Sequence, residues 1–102
     1  MMLGKPVIVT GYSGNLDFTT LTTAALVDYR RTVLAEEDYR FGAGQSWAEP
    51  DVENAAWWMR TLAAKPDLRQ QIARRGQIAV IDAYSPAAVG ADYAAKLGWP
   101  LR

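Results

Sequence analysis

The sequence predicts an α/β fold: a partial Rossmann-like layer in which short parallel strands of the N-terminal half pack with helices of the C-terminal half. Three observations carry that expectation. A continuous β-branched run, Lys5-Pro6-Val7-Ile8-Val9-Thr10, feeds directly into a glycine-spaced loop. From about residue 50 onward, apolar side chains recur at helical spacing. No repeat, low-complexity tract or linker interrupts the order, so residues 1–102 read as a single domain.

Each element has a local reason. The Pro6–Thr10 run does not alternate, which suits a strand covered on both faces, as in a parallel sheet. Gly11, Gly14 and Asn15 tolerate positive φ and mark a turn. Ala24–Tyr29 is a second strand, preceded by a threonine-rich stretch with room for one helical turn. Beyond it, Thr32-Val33-Leu34 and Tyr39-Arg40-Phe41 either pair as a ragged hairpin or form an extended loop that Gly42 and Gly44 close. The first long helix starts near Pro50, with Glu49 or Asp51 facing its open amides. Its expected apolar face runs through Val52, Ala55, Ala56, Met59, Leu62 and Ala63. Pro66 ends it, and Asp67 is placed to cap the next helix, which carries Leu68, Ile72 and Ala79 on one side. Ser85 as N-cap and Pro86 at the first position start the last helix, lined by Val89, Tyr93 and Leu97. Gly98 and Pro100 stop it.

Composition narrows the chemistry. Of 102 residues, 50% are apolar and 22% charged, and eleven basic side chains balance eleven acidic ones. A neutral balance gives no strong field toward nucleic acid or anionic lipid. The chain has neither cysteine nor histidine. That excludes disulfides and thiolate metal sites, and removes the commonest general base. No apolar run has the length of a membrane span and no signal-peptide layout opens the chain, so a cytoplasmic protein is expected.

The best candidate site is the loop Thr10-Gly11-Tyr12-Ser13-Gly14-Asn15. Glycines after a parallel strand let backbone N–H groups approach a phosphate or a sugar hydroxyl, and Ser13 and Asn15 add side-chain donors. A plain tight turn explains the same residues. Asp17 fits either an acid or ribose partner, or the cap of a following short helix. Glu36, Glu37 and Asp38 read as a solvated run and imply no metal. Arg30-Arg31 and Arg74-Arg75 read as surface pairs, with a phosphate contact the remoter use. Trp58 flanks the apolar face near Leu62, whereas Trp57 falls on the opposite side and calls for cover, for which segment 30–47 is the expected source.

At this point the residues resemble a family. Leu3-Gly4-Lys5-Pro6-Val7-Ile8-Val9-Thr10 followed by Tyr12-Ser13-Gly14-Asn15-Leu16-Asp17-Phe18 resembles the late part of the C-terminal domain of group 1 glycosyltransferases. The likeness continues through Leu26-Val27-Asp28-Tyr29 and Trp47-Ala48-Glu49-Pro50-Asp51 to Tyr84-Ser85-Pro86-Ala87-Ala88. It covers nearly the whole chain in order. The Tyr-Ser-Gly-Asn-Leu-Asp-Phe and Trp-Ala-Glu-Pro-Asp pieces are the specific ones.

The resemblance implies a retaining enzyme of two facing Rossmann-like domains that takes a nucleotide-sugar such as a UDP- or GDP-sugar. It implies that Ser13, Gly14 and Asn15 lie near the donor pocket with Asp17 in support; no metal or other cofactor is expected. In that family a Glu-x7-Glu element just before the Gly-Lys-Pro segment grips the donor. Here only Met1, Met2 and Leu3 precede Gly4, so the expectation is a domain inactive alone, without catalytic residues of its own. The Pro6–Thr10 strand would then pair with Ala24–Tyr29 on one side only. Self-association through that edge, or through the helix of Trp57 and Trp58, is expected. The alternative is a non-catalytic module that binds a nucleotide or sugar phosphate, or that assembles with itself.

Overall fold

Ile8–Thr10 (β1) and Ala25–Val27 (β2) lie side by side and parallel, with Ile8 opposite Ala25 and Thr10 opposite Val27. A 3-10 turn over Ser13–Asp17 and a threonine-rich bend connect them. The computed structural model describes residues 1–100. Tyr29–Val33 (β3) and Ser46–Pro50 (β4) form a second, antiparallel pair. Three helices follow: Val52–Ala64 (α1), Pro66–Tyr84 (α2) and Pro86–Leu97 (α3). The fold is thus α/β with a short parallel pair at its N-terminal end.

The expected second strand divides in two at Asp28. Ala25–Val27 stays with β1, while the chain from Tyr29 onward leaves for the other sheet. Of the two readings of Thr32–Leu34 and Tyr39–Phe41, the hairpin between them does not form. Thr32 lies opposite Trp47 and Val33 opposite Ser46, and the Tyr39–Phe41 stretch sits in the connection. Within it, Asp38 accepts the Ala35 N–H at 2.8 Å, so the acidic run forms a turn.

Helix ends follow their local chemistry. Asp51 caps α1 by accepting the Asn54 N–H at 2.9 Å. Pro66 opens α2 rather than merely closing α1. The cap there is Lys65, and Asp67 sits inside the first turn, where an acid suits the open amides. Arg69 of α2 reaches back to the Leu62 carbonyl at 3.2 Å and satisfies one of the free acceptors at the end of α1. Ser85 caps α3, and Gly98 at φ 64° ends it in the left-handed conformation.

The buried centre gathers Ala25, Leu62 and Ile72, with Ile8, Trp58 and Leu68 packed against it. The face of α1 that reaches it runs through Ala55, Trp58 and Leu62, not through Val52, which is 71% exposed, or Met59. The helix is rotated from expectation because the Trp58 indole N–H donates to the Leu26 carbonyl at 2.9 Å, which fixes that side against β2. Trp57 stays half exposed, edge-on against Trp58 with ring centroids 4.8 Å apart, rather than sealed under segment 30–47. Tyr93 and Leu97 of α3 are also open to solvent. The molecule is a slab of 51 × 42 × 17 Å with a radius of gyration of 17.6 Å. A compact chain of this length has about 13 Å. No helix among the described residues is long and apolar enough to cross a membrane.

Candidate functional site

The loop after β1 is held from three sides. Asn15 Nδ2 donates to the Thr10 carbonyl at 3.0 Å, and the Tyr12 N–H donates to the same oxygen at 2.8 Å. The buried Thr19 hydroxyl donates to the Asn15 carbonyl and closes the 3-10 turn. The Tyr12 ring packs on Tyr29 of β3 at 4.9 Å between centroids, which ties the loop to the second sheet. The residue that takes the left-handed conformation is Ser13, at φ 51°, and not Gly11 or Gly14 as expected. For a residue with a side chain that conformation costs about 1–2 kcal/mol.

With the loop anchored so, Ser13, Gly14 and Asn15 line an open recess of about 440 Å³ together with Thr10, Tyr12, Ser46, Trp47 and Ala48. Its wall is uncharged. Arg31 stands next to it, since its guanidinium donates to the Ser46 hydroxyl at 2.5 Å. The Ser13 hydroxyl and the Asn15 Oδ1 have no hydrogen-bond partner among the described residues. An aromatic ring, two free polar groups and a neighbouring guanidinium are the chemistry that meets a sugar or base face beside a phosphate.

Asp17 lies elsewhere. It ends the 3-10 turn and lines a smaller groove with Phe18, Thr23, Ala83 and Tyr84. The Tyr84 hydroxyl donates to the Asp17 carbonyl at 2.6 Å, which pins the back of the loop to α2. It caps no following helix. The sequence points to Ser13, Gly14 and Asn15 but gives Ser46 and Trp47 no site role, and gives Arg31 only the remoter use of a phosphate contact. The signal for Trp47 was the Trp-Ala-Glu-Pro-Asp piece of the resemblance, of which it is the first residue; Ser46 and Arg31 lie outside that piece.

Among the described residues, no group of three or more acidic side chains is arranged to hold a metal ion. Comparisons with protein-family models, with curated proteins and with solved structures find no match to this chain.

Proposed function

We propose that this chain is a glycosyltransferase-related domain whose Rossmann-like layer holds a nucleotide-sugar or sugar phosphate in the recess between the Tyr12–Asn15 loop and Trp47, and that it does not transfer sugar by itself. One observation carries the reading. The two most specific pieces of the resemblance, Tyr12-Ser13-Gly14-Asn15 and Trp47-Ala48, lie far apart in sequence and wall the same recess. The left-handed Ser13 supports it, because backbone strain of that kind gathers at ligand-holding turns.

The lining of the recess supports the reading that this chain does not transfer sugar by itself. The recess itself contributes no acid, base or nucleophile beyond the Ser13, Ser46, Thr10 and Tyr12 hydroxyls. Expulsion of a nucleoside diphosphate needs its charge neutralised in a closed site. Arg31 at the rim of an open recess supplies attraction without enclosure.

Titration calorimetry and amide chemical-shift mapping with UDP, GDP, UDP-glucose and GDP-mannose test this. Binding is expected at about millimolar strength, the level an open and poorly enclosed site reaches. Shifts should centre on Ser13–Asn15 and Trp47, and Trp47→Ala should weaken binding about tenfold. Absence of heat and of shifts with all four ligands overturns the reading.

A further inference from the structure

The sheet of β1 and β2 has two outer edges, and the chain treats them differently. In a parallel ladder, alternate residues face the neighbouring strand. The Ala25 N–H donates to the Val7 carbonyl at 2.9 Å and the Gly11 N–H to the Val27 carbonyl at 2.9 Å, so Val7, Val9 and Gly11 face β2. Pro6, Ile8 and Thr10 therefore turn their backbone groups outward. On the far side of β2 the outward carbonyl of Leu26 is taken by Trp58. On the β1 edge the Thr10 carbonyl is taken twice, by Asn15 and by Tyr12. The Thr10 N–H, both polar groups of Ile8 and the Pro6 carbonyl have no partner among the described residues.

This pattern of open and closed groups is self-complementary under a two-fold axis. With a second β1 laid antiparallel and Ile8 opposite its own copy, the two Ile8 residues exchange both hydrogen bonds. The Thr10 N–H then meets the partner's Pro6 carbonyl. Proline has no N–H to offer, and it falls opposite Thr10, whose carbonyl is already satisfied. No donor or acceptor is stranded by the pairing, which is the condition an isologous contact must meet.

The self-complementary edge points to another copy as its occupant, and the exposed area is sufficient for such a contact. A compact monomer of 11.2 kDa exposes about 5,700 Å². This chain exposes 7701 Å². The surplus of about 2,000 Å² is what one subunit of an obligate homodimer buries. Next to the edge, Val7 lines an apolar groove of about 330 Å³ with Met1, Met2, Phe18, Val80 and Tyr84, so apolar surface accompanies the open backbone. The half-exposed Trp57 on α1 offers apolar area too, but no matching set of donors and acceptors.

We propose that two copies of this chain pair antiparallel along the outer edge of β1, giving one continuous sheet in the order β2-β1-β1-β2 about a two-fold axis. The assignment does not depend on whether the recess takes a nucleotide-sugar.

Sedimentation equilibrium and light scattering at micromolar concentration should give about twice the chain mass. Amide hydrogen exchange reads the contact directly. In the dimer the Ile8 and Thr10 amides should exchange on the order of a hundredfold more slowly than at a concentration where the chain is monomeric, while Val9, bonded within the chain, changes far less. Thr10→Pro removes an outward donor without touching the packed Ile8 side chain, and should shift the protein to monomer with its circular dichroism retained. If that variant fails to fold, exchange in the unaltered protein decides alone. A monomer at tens of micromolar, or a dimer whose Ile8 and Thr10 amides exchange as freely as in the monomer, overturns the proposal.

Discussion

Asp28 and Asn54 are bound to each other across 26 positions of sequence: the Asn54 Oδ1 accepts the Asp28 N–H at 3.1 Å. The Asp51 N–H donates to the Asp28 carbonyl at 2.8 Å, and the Asp51 carboxylate in turn accepts the Asn54 N–H. The N-terminus of α1 is therefore fastened to the one residue at which the chain leaves the parallel pair for the antiparallel one. Capping and sheet-to-sheet transfer share the same three residues.

Asn54→Ala should accordingly cost about 1 kcal/mol, the net worth of its hydrogen bond to the Asp28 amide. Asp51→Ala should cost about 1 kcal/mol as a lost cap. Because the two act through one cluster, the double variant should lose less than the sum of the single losses. Urea unfolding of the three variants and the unaltered protein measures this, and strict additivity would show that the cluster is not cooperative.

Gly76 lies inside α2, where alanine ordinarily gains about 1 kcal/mol. Here a Cβ would stand 2.6 Å from the Thr23 carbonyl oxygen and 2.9 Å from the Met1 Cε. Met1 can move, but the Thr23 backbone leads directly into β2 and cannot without displacing it. Gly76→Ala is expected to destabilise by about 2 kcal/mol despite its helix preference. A thermal melt at or above that of the unaltered protein would refute the close approach.

The indole N–H of Trp58 satisfies an outward carbonyl of β2 at Leu26. Trp58→Phe keeps an aromatic ring but removes that donor, and should lower stability by about 1–2 kcal/mol. Chemical denaturation followed by far-ultraviolet circular dichroism, which does not rely on the lost fluorophore, checks the figure.

Phe41 carries φ 63° and is 83% exposed, with the Arg40 guanidinium 5.0 Å from its ring centre. A bulky residue in that conformation pays the left-handed penalty with little burial in return. Phe41→Gly should therefore stabilise by about 0.5–1 kcal/mol, the relief less glycine's extra chain entropy. A lower melting temperature would mean that Phe41 is covered in solution.

Much of the architecture was legible because it rests on local signals. Ser85-Pro86 and Gly98 define α3, Pro66 separates α1 from α2, and the β-branched run gives β1. What escaped depends on distant partners. The β3–β4 register joins Thr32 to Trp47 across a loop that contains the equally strand-like Tyr39–Phe41, and composition cannot choose between them. The rotation of α1 is set by hydrogen bonds of Asn54 and Trp58 to β2 and its end, which hydrophobic spacing does not encode. For the same reason one wall of the recess was visible in Ser13, Gly14 and Asn15, whereas Trp47 and Arg31 joined it only through the pairing of β3 with β4.

The thickness of the molecule, 17 Å, has a dielectric meaning. No large side chain is fully buried, and Thr19 is the one buried polar residue among those described. A slab this thin keeps the charged side chains of the described residues near water, where charges interact at close to solvent strength. Such a body can present a surface that attracts and orients. A dry interior, in which a fixed dipole is worth several times more, has to be made where this slab meets another surface.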